Sequence, residues 1–248
     1  LRTHKQMYCE VLHRLNTFEA ALGKEREFNA TSRKRAAFLE KNQELKLYGF
    51  PSSYINRSIL IGRIGNYHET PSLVADFEAK AAAFKGDIRK ELLIILYFNF
   101  TCLHIGSWDY KNALRWNNKV LNNPSSEEFR EDAYCLARIL NLIIHYELGN
   151  DELLEPLIRS THRYLLQRKQ LYKFEDTILK FMRTQLPKVS SHSELIEAFK
   201  GLHKELVILS KYPFERKFLD GFDFISWLQS KIENRAFGEI VKEKAGRA

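Results

Sequence analysis

The sequence predicts an all-α fold of about eleven helices arranged as antiparallel pairs. Three observations carry this. Apolar residues recur at intervals of three and four along nearly the whole chain, the spacing of one helical face. The 248 residues include only 6 Pro and 11 Gly, so long helices can run uninterrupted. Connections between periodic stretches span about two to six residues, which makes successive helices antiparallel neighbours.

The clearest stretch is 127–168. Phe129, Ala133, Leu136, Ala137, Leu140 and Ile143 form one apolar row, and Cys135, Ile139, Leu142 and Tyr146 form a second. A helix apolar on two sides is sandwiched between neighbours. Gly149-Asn150 supplies its stop, and Asp151 with Glu152 suits the start of the next helix.

Taken in order, residues 1–22 place Met7, Tyr8, Val11, Leu12, Leu15 and Phe18 on one face, ended by Gly23. Residues 25–47 carry a weaker stripe and the basic run Arg33, Lys34 and Arg35, readable as an anion patch or as a solvated face. Tyr48-Gly49-Phe50-Pro51 predicts a break. Residues 54–65 read as a short helix, with Ile59-Leu60-Ile61 as an alternative strand. Gly62 and Gly65 make a GxxG, which clamps a nucleic-acid backbone only within a mixed sheet-and-helix domain; its flanks are helical. A helix from Pro71 ends near Gly86, and the stretches 87–105 and 109–122 follow. Ser125 with Glu128 reads as a capping box. Further helices cover 170–186, 192–210 (opened by the Ser191/Glu194 capping box) and 214–234, and a polar tail starts at Arg235. No interior linker is long or Gly/Ser-rich, so 1–248 reads as a single continuous helical domain. The start at Leu1, without Met, reads as the C-terminal portion of a longer chain.

Composition excludes several classes. Hydrophobic content of 44% with 28% charged residues is that of a folded globular chain. No apolar run approaches the length of a membrane span. Cys9, Cys102 and Cys135 sit far apart, with no CxxC and no Cys/His metal spacing. They read as buried free thiols, which fits a reducing, cytoplasmic setting. The net charge is +8. Residues 1–50 hold ten Lys/Arg against six Asp/Glu, an excess that permits nucleic-acid binding without requiring it.

The stretches CLHIGSWDYKNALRWNNKVLNNP (Cys102–Pro124) and IIHYELGNDELLEPLIRSTHRYL (Ile143–Leu165) resemble tetratricopeptide repeats. The family pattern ends a first helix in a Leu-Gly pair and places Ala or Leu about five residues beyond the glycine. Gly149 with Leu154 matches it; Gly106 with Ala113 matches with two extra residues. The interval from Gly106 to Gly149 exceeds the ~34-residue unit, so the likeness is to a degenerate form, strongest over 87–168. REDAYCLARILNLIIHYELGN (Arg130–Asn150) and PFERKFLDGFDFISWLQSKIENR (Pro213–Arg235) are also similar to a family of uncharacterised bacterial helical-repeat proteins. These resemblances imply a tetratricopeptide-like right-handed solenoid that binds a partner in a groove lined by the first helix of each pair. The family spacing puts Leu93, Leu96, Phe100, Leu136, Ile139 and Ile143 in that groove. The Asn and Lys/Arg set that grips a peptide carboxylate in chaperone-binding members is not at those positions. Pro156, near the start of its helix, implies a bend.

The candidate partner-binding residues are polar ones on this apolar framework. Tyr134, Arg138, Asn141 and His145 lie on one stripe of the central helix, joined by Arg159 and His162 from the next helix and Asn99 from the preceding pair. Desolvating an arginine costs several kcal/mol, so Arg138 must meet a carboxylate or face a ligand. The row reads either as an anion or peptide site or as an internal network that sets helix register. Trp108, Tyr110 and Trp116 read as a stacking group or as core. Asp220, Asp223 and Glu215 cluster near one helix, and His4, His13, His68, His104, His192 and His203 are scattered. No HExxH, P-loop, GxSxG or acidic metal cluster occurs. The expectation is a non-catalytic protein–protein interaction scaffold with no cofactor and no metal, binding another protein or peptide. The alternative is nucleic-acid binding by a basic helical-repeat surface.

Overall fold

The computed structural model describes residues 3–84, 88–123, 130–167 and 172–246. Among these, every element is helical. There are thirteen α-helices rather than about eleven: α1 (His4–Ala21), α2 (Glu25–Lys41), α3 (Lys46–Ile64), α4 (Thr70–Ala81), α5 (Lys90–Gly106), α6 (Tyr110–Leu121), α7 (Glu131–Glu147), α8 (Asp151–Gln167), α9 (Lys173–Lys180), α10 (His192–Leu209), α11 (Pro213–Leu219), α12 (Phe224–Glu233) and α13 (Phe237–Ala245). The Ser125/Glu128 capping box lies outside the described residues.

The structure departs from the sequence reading in four places. The break expected at Gly49-Pro51 is absent, because α3 runs through it. Gly49 lets α2 approach, since a Cβ there would sit 2.4 Å from Leu39 Cδ1. Buried Arg35 donates Nη2 to the Gly49 carbonyl at 3.0 Å and to Ser52 Oγ at 2.7 Å, bracing the turn where Pro51 lacks an N–H. The expected 214–234 helix is two helices, because Asp223 caps a new start by accepting from Ser226 N at 2.8 Å. The polar tail holds α13, which buries Phe237, Ile240 and Val241. The stretch expected as one helix over 170–186 continues from α9 into a π turn (Phe181–Gln185) and a short 3-10 turn ending at Lys188. Gly149 adopts φ +68 behind α7 as expected, and Ser191 Oγ accepts from Glu194 N at 3.2 Å, but the Glu194 carboxylate accepts from Ser190 N at 2.8 Å, one residue earlier than a capping box requires; α8 continues through Pro156.

Neighbouring helices pack as pairs, α1 with α2, α5 with α6, α7 with α8 and α12 with α13. One core runs from Tyr54 in α3 to Val241 in α13. The chain's end also returns to its beginning. Helix α13 packs on α3, and Phe237 stacks on Tyr67 with centroids 5.2 Å apart. In an open repeat array each unit touches only its neighbours. Here Ile143 meets Phe224, Trp227 and Leu228 around a void of only about 20 Å³. Leu136 faces Gly221, where a Cβ would come within 2.5 Å of its Cδ1. Of the six projected groove positions, Leu96, Phe100, Leu136, Ile139 and Ile143 are buried, with Leu136 and Ile143 covered by this chain's own C-terminal segments, while Leu93 is half-buried at the edge of a cleft.

The seam between α1, α2 and α3 is polar. Asn16 Nδ2 donates to the Phe28 carbonyl at 3.0 Å, Thr31 Oγ1 to Glu19 at 2.9 Å, and Thr17 Oγ1 to Asn56 Oδ1 at 3.0 Å. His13 Nδ1 lies 3.3 Å from Asn56 Nδ2. Burial, reinforced by the Arg35 and Arg14 charges, lowers the His13 pKa from 6.5 to about 4. The unfolded chain therefore takes up the proton first as pH falls. We expect the His13 contribution to stability to be intact above pH 6.5, to decline towards pH 4 and to level off below it. Urea midpoints across that window test this: His13→Gln should flatten part of the decline, and an unchanged slope would refute it. His104, His145 and His203 are shifted down as well, chiefly by burial, so the residual slope keeps the same sign.

Candidate partner-binding site

Among the described helices, α7 is the most enclosed. It packs against α5, α6, α8 and α9 and buries eleven of its seventeen residues, from Ala133 to Ile144. Acidic Glu131 and Asp132 in its first turn suit the positive end of the helix dipole. Arg138 is the only cationic side chain in its middle turns and is half-buried.

The sequence reading required a carboxylate or a ligand for Arg138; the structure shows a third arrangement. Its guanidinium carbon lies 4.4 Å from the Tyr164 ring centroid and 5.0 Å from that of Tyr134. Nη2 donates to Tyr134 Oη at 3.1 Å. The two rings meet edge to face at 5.3 Å. The ring quadrupoles supply attraction that a carboxylate would otherwise provide. Nε is buried without an acceptor, and among the described residues no carboxylate pairs with Arg138. Tyr164, from α8, was missed in sequence. Its position three residues after inward-facing Thr161 is the signal that could have found it.

The other candidates go elsewhere. Asn141 accepts from Asn117 Nδ2 at 3.2 Å, and the same amide donates to the Ala137 carbonyl at 3.0 Å, tying α6 to α7. His145 Nδ1 meets Asn150 Nδ2 at 3.0 Å beside the α7 stop. Arg159 pairs with Glu155 on the exposed side of α8 at 2.9 Å. His162 is half-buried on α8. Asn99 donates to Ser58 Oγ on α3 at 3.0 Å. Of the seven residues, then, Tyr134 and Arg138 form a unit, completed by Tyr164.

The remaining constellations separate likewise. Trp116 is core, edge to face with Phe100 at 5.0 Å. Tyr110 Oη and Glu147 both receive Lys231 Nζ, at 3.3 and 2.8 Å, and Glu147 also accepts from Trp227 Nε1 at 3.1 Å, fastening α12 onto α6 and α7. Trp108 is half-exposed at φ +60 beside Lys231. Arg33 and Lys34 are exposed while Arg35 turns inward. Glu215 caps α9, Asp223 caps α12, and Asp220 lies 3.9 Å from Arg216 on the surface. His104 Nδ1 lies 3.3 Å from Asp109 Oδ2, in a buried setting that disfavours its charged form. A cleft of about 320 Å³ is lined by Phe77, Tyr97, Trp116 and Lys119, with Glu78 held there by Arg115. Among the described residues no group of His, Cys, Asp and Glu is arranged to hold a metal ion, and no helix is long and apolar enough to cross a membrane. The chain matches no protein-family model, no curated protein and no solved structure.

Proposed function

We propose that this protein is a non-catalytic protein–protein interaction scaffold, built as a tetratricopeptide-like stack of helix pairs, that receives an acidic segment of a partner at Arg138. The observation supporting the reading is the guanidinium packed against the Tyr134–Tyr164 pair, with no carboxylate paired to it among the described residues. The two rings and the Tyr134 hydroxyl restrict where the guanidinium can sit, and its planar fork accepts a carboxylate in a defined orientation. The partner's acid would provide the carboxylate that none of the described residues brings to Arg138.

The test uses the full chain and Arg138→Ala as baits in native extract, each with and without nuclease. The expected result is a protein partner retained after nuclease and lost with Arg138→Ala. The variant should stay folded, because the tyrosine contacts it removes contribute only about 0.5–2 kcal/mol. Full retention by the variant would overturn the reading. Recovery abolished by nuclease would replace it with nucleic-acid binding, for which the +8 charge is the available basis.

A further inference from the structure

The N-terminal helix is packed with much of its polar side inward. Helix α1 buries Cys9, Leu12, Asn16, Glu19 and Ala20 against α2 and α3. Asn16 and Glu19 are held there by the hydrogen bonds from the seam described above. The side facing water carries Met7, Tyr8, Val11, Leu15, Phe18 and Leu22, between 46% and 67% exposed. A surface helix ordinarily turns its apolar stripe to the core. In α1 most of that stripe is outside.

Its spacing is specific. Positions 8, 11, 15, 18 and 22 advance by three, four, three and four, the a/d repeat of a coiled-coil seam. No charged residue interrupts them. Two flanking cations are paired within the chain, Arg14 with Glu10 at 2.8 Å and Lys5 with Glu44 at 3.5 Å, which lowers the like-charge repulsion between two copies along most of the seam.

The geometry points to a homodimer in which α1 of a second copy of this chain covers the Tyr8–Leu22 stripe. An a/d seam is complementary to another a/d seam, and a two-fold axis brings the same patch of each subunit together. With large side chains covering ~150–250 Å² each, the six half-exposed groups present roughly 600–700 Å² per copy. Two copies would bury about 1,200–1,400 Å², the lower part of the range for stable, specific interfaces. Left uncovered, that stripe lies at the upper end of the largest apolar patch usual for a soluble chain. This inference is independent of the Arg138 reading.

Sedimentation velocity of the full chain over a dilution series tests it. The expected species has twice the 29.2 kDa chain mass and dissociates on dilution. Val11→Glu with Phe18→Glu should sediment as the chain alone at every concentration while keeping the helical circular dichroism, because both side chains face solvent. Leu15→Cys should give a disulfide-linked dimer on mild oxidation; this readout stands if the double variant fails to fold. A wild-type chain that stays at 29.2 kDa throughout, or a folded double variant that associates as tightly as wild type, would overturn the proposal. Arg138 is intact in both variants, so failure here leaves the partner-binding test unaffected.

Discussion

Replacing Gly65 with alanine is expected to loosen the C-terminal helix from α3 and to cost roughly 2–5 kcal/mol of stability. Two effects add. Gly65 ends α3 at φ +73, with the Asn66 N–H returning to the Ile61 carbonyl at 3.1 Å. An L side chain is strained in that left-handed conformation. The second effect is steric. A Cβ would stand 2.6 Å from the Gly238 carbonyl oxygen and 3.1 Å from the Lys242 amide, both backbone atoms of α13. Neither can swing aside as a side chain would, so α13 must move. Gly238 has the reciprocal constraint, 2.9 Å from the Gly65 carbonyl oxygen. Gly149 separates the two effects. It has φ +68, and a Cβ there meets nothing within 4 Å. Denaturation of Gly65→Ala beside Gly149→Ala should show a clearly larger loss at position 65. Equal losses would mean that the α3–α13 contact contributes nothing beyond backbone strain.

The second large effect is expected at Glu215. This buried carboxylate in α11 accepts from the backbone N–H of Lys173 at 3.1 Å and of Phe174 at 3.0 Å, capping α9 from more than forty residues away in sequence. The first N–H groups of a helix have no partner within the helix, and Phe174 is fully buried, so water cannot easily replace the lost acceptor. Glu215→Ala should cost about 2–4 kcal/mol, combining the lost cap with the stranded donors. Glu215→Gln keeps an acceptor and should lose less. Amide exchange in α9 under native conditions provides a local readout: Lys173 and Phe174 should lose protection first in Glu215→Ala. Unaltered protection there, with only a global loss, would rule out the capping role.

These two positions show the limit of reading the chain alone. Gly65 was visible as half of a GxxG, and Glu215 as one of three acids near a helix. Neither pattern says that the first touches α13 or that the second caps α9. The α1 stripe makes the same point. Periodicity identified Met7, Tyr8, Val11, Leu12, Leu15 and Phe18 as one apolar face, of which the structure buries only Leu12. It could not say that α2 and α3 would cover the face bearing Asn16 and Glu19 instead, through hydrogen bonds to Phe28, Ser32 and Thr31. At Arg138, charge and burial in sequence required a partner. That the partner is a pair of tyrosine rings depended on where α8 lies.

By itself the sequence determined that the chain is helical, where most helices stop, and which residues a cap or a left-handed glycine would place at their ends. These are short-range effects. They depend on the period of 3.6 residues and on side-chain contacts within a turn or two, so they can be read from neighbouring letters. The tertiary structure alone decided that α3 runs through Gly49-Pro51, that the chain's end packs on α3, that its C-terminal segments cover Leu136 and Ile143 of the row a repeat groove would expose, and that the N-terminal helix turns an apolar stripe to solvent. Each is a choice among faces and neighbours that local propensity leaves nearly equal. It is settled by contacts between residues apart in sequence: a missing Cβ at Gly49 and Gly238, a carboxylate reaching two foreign amides, a guanidinium against the ring of Tyr164.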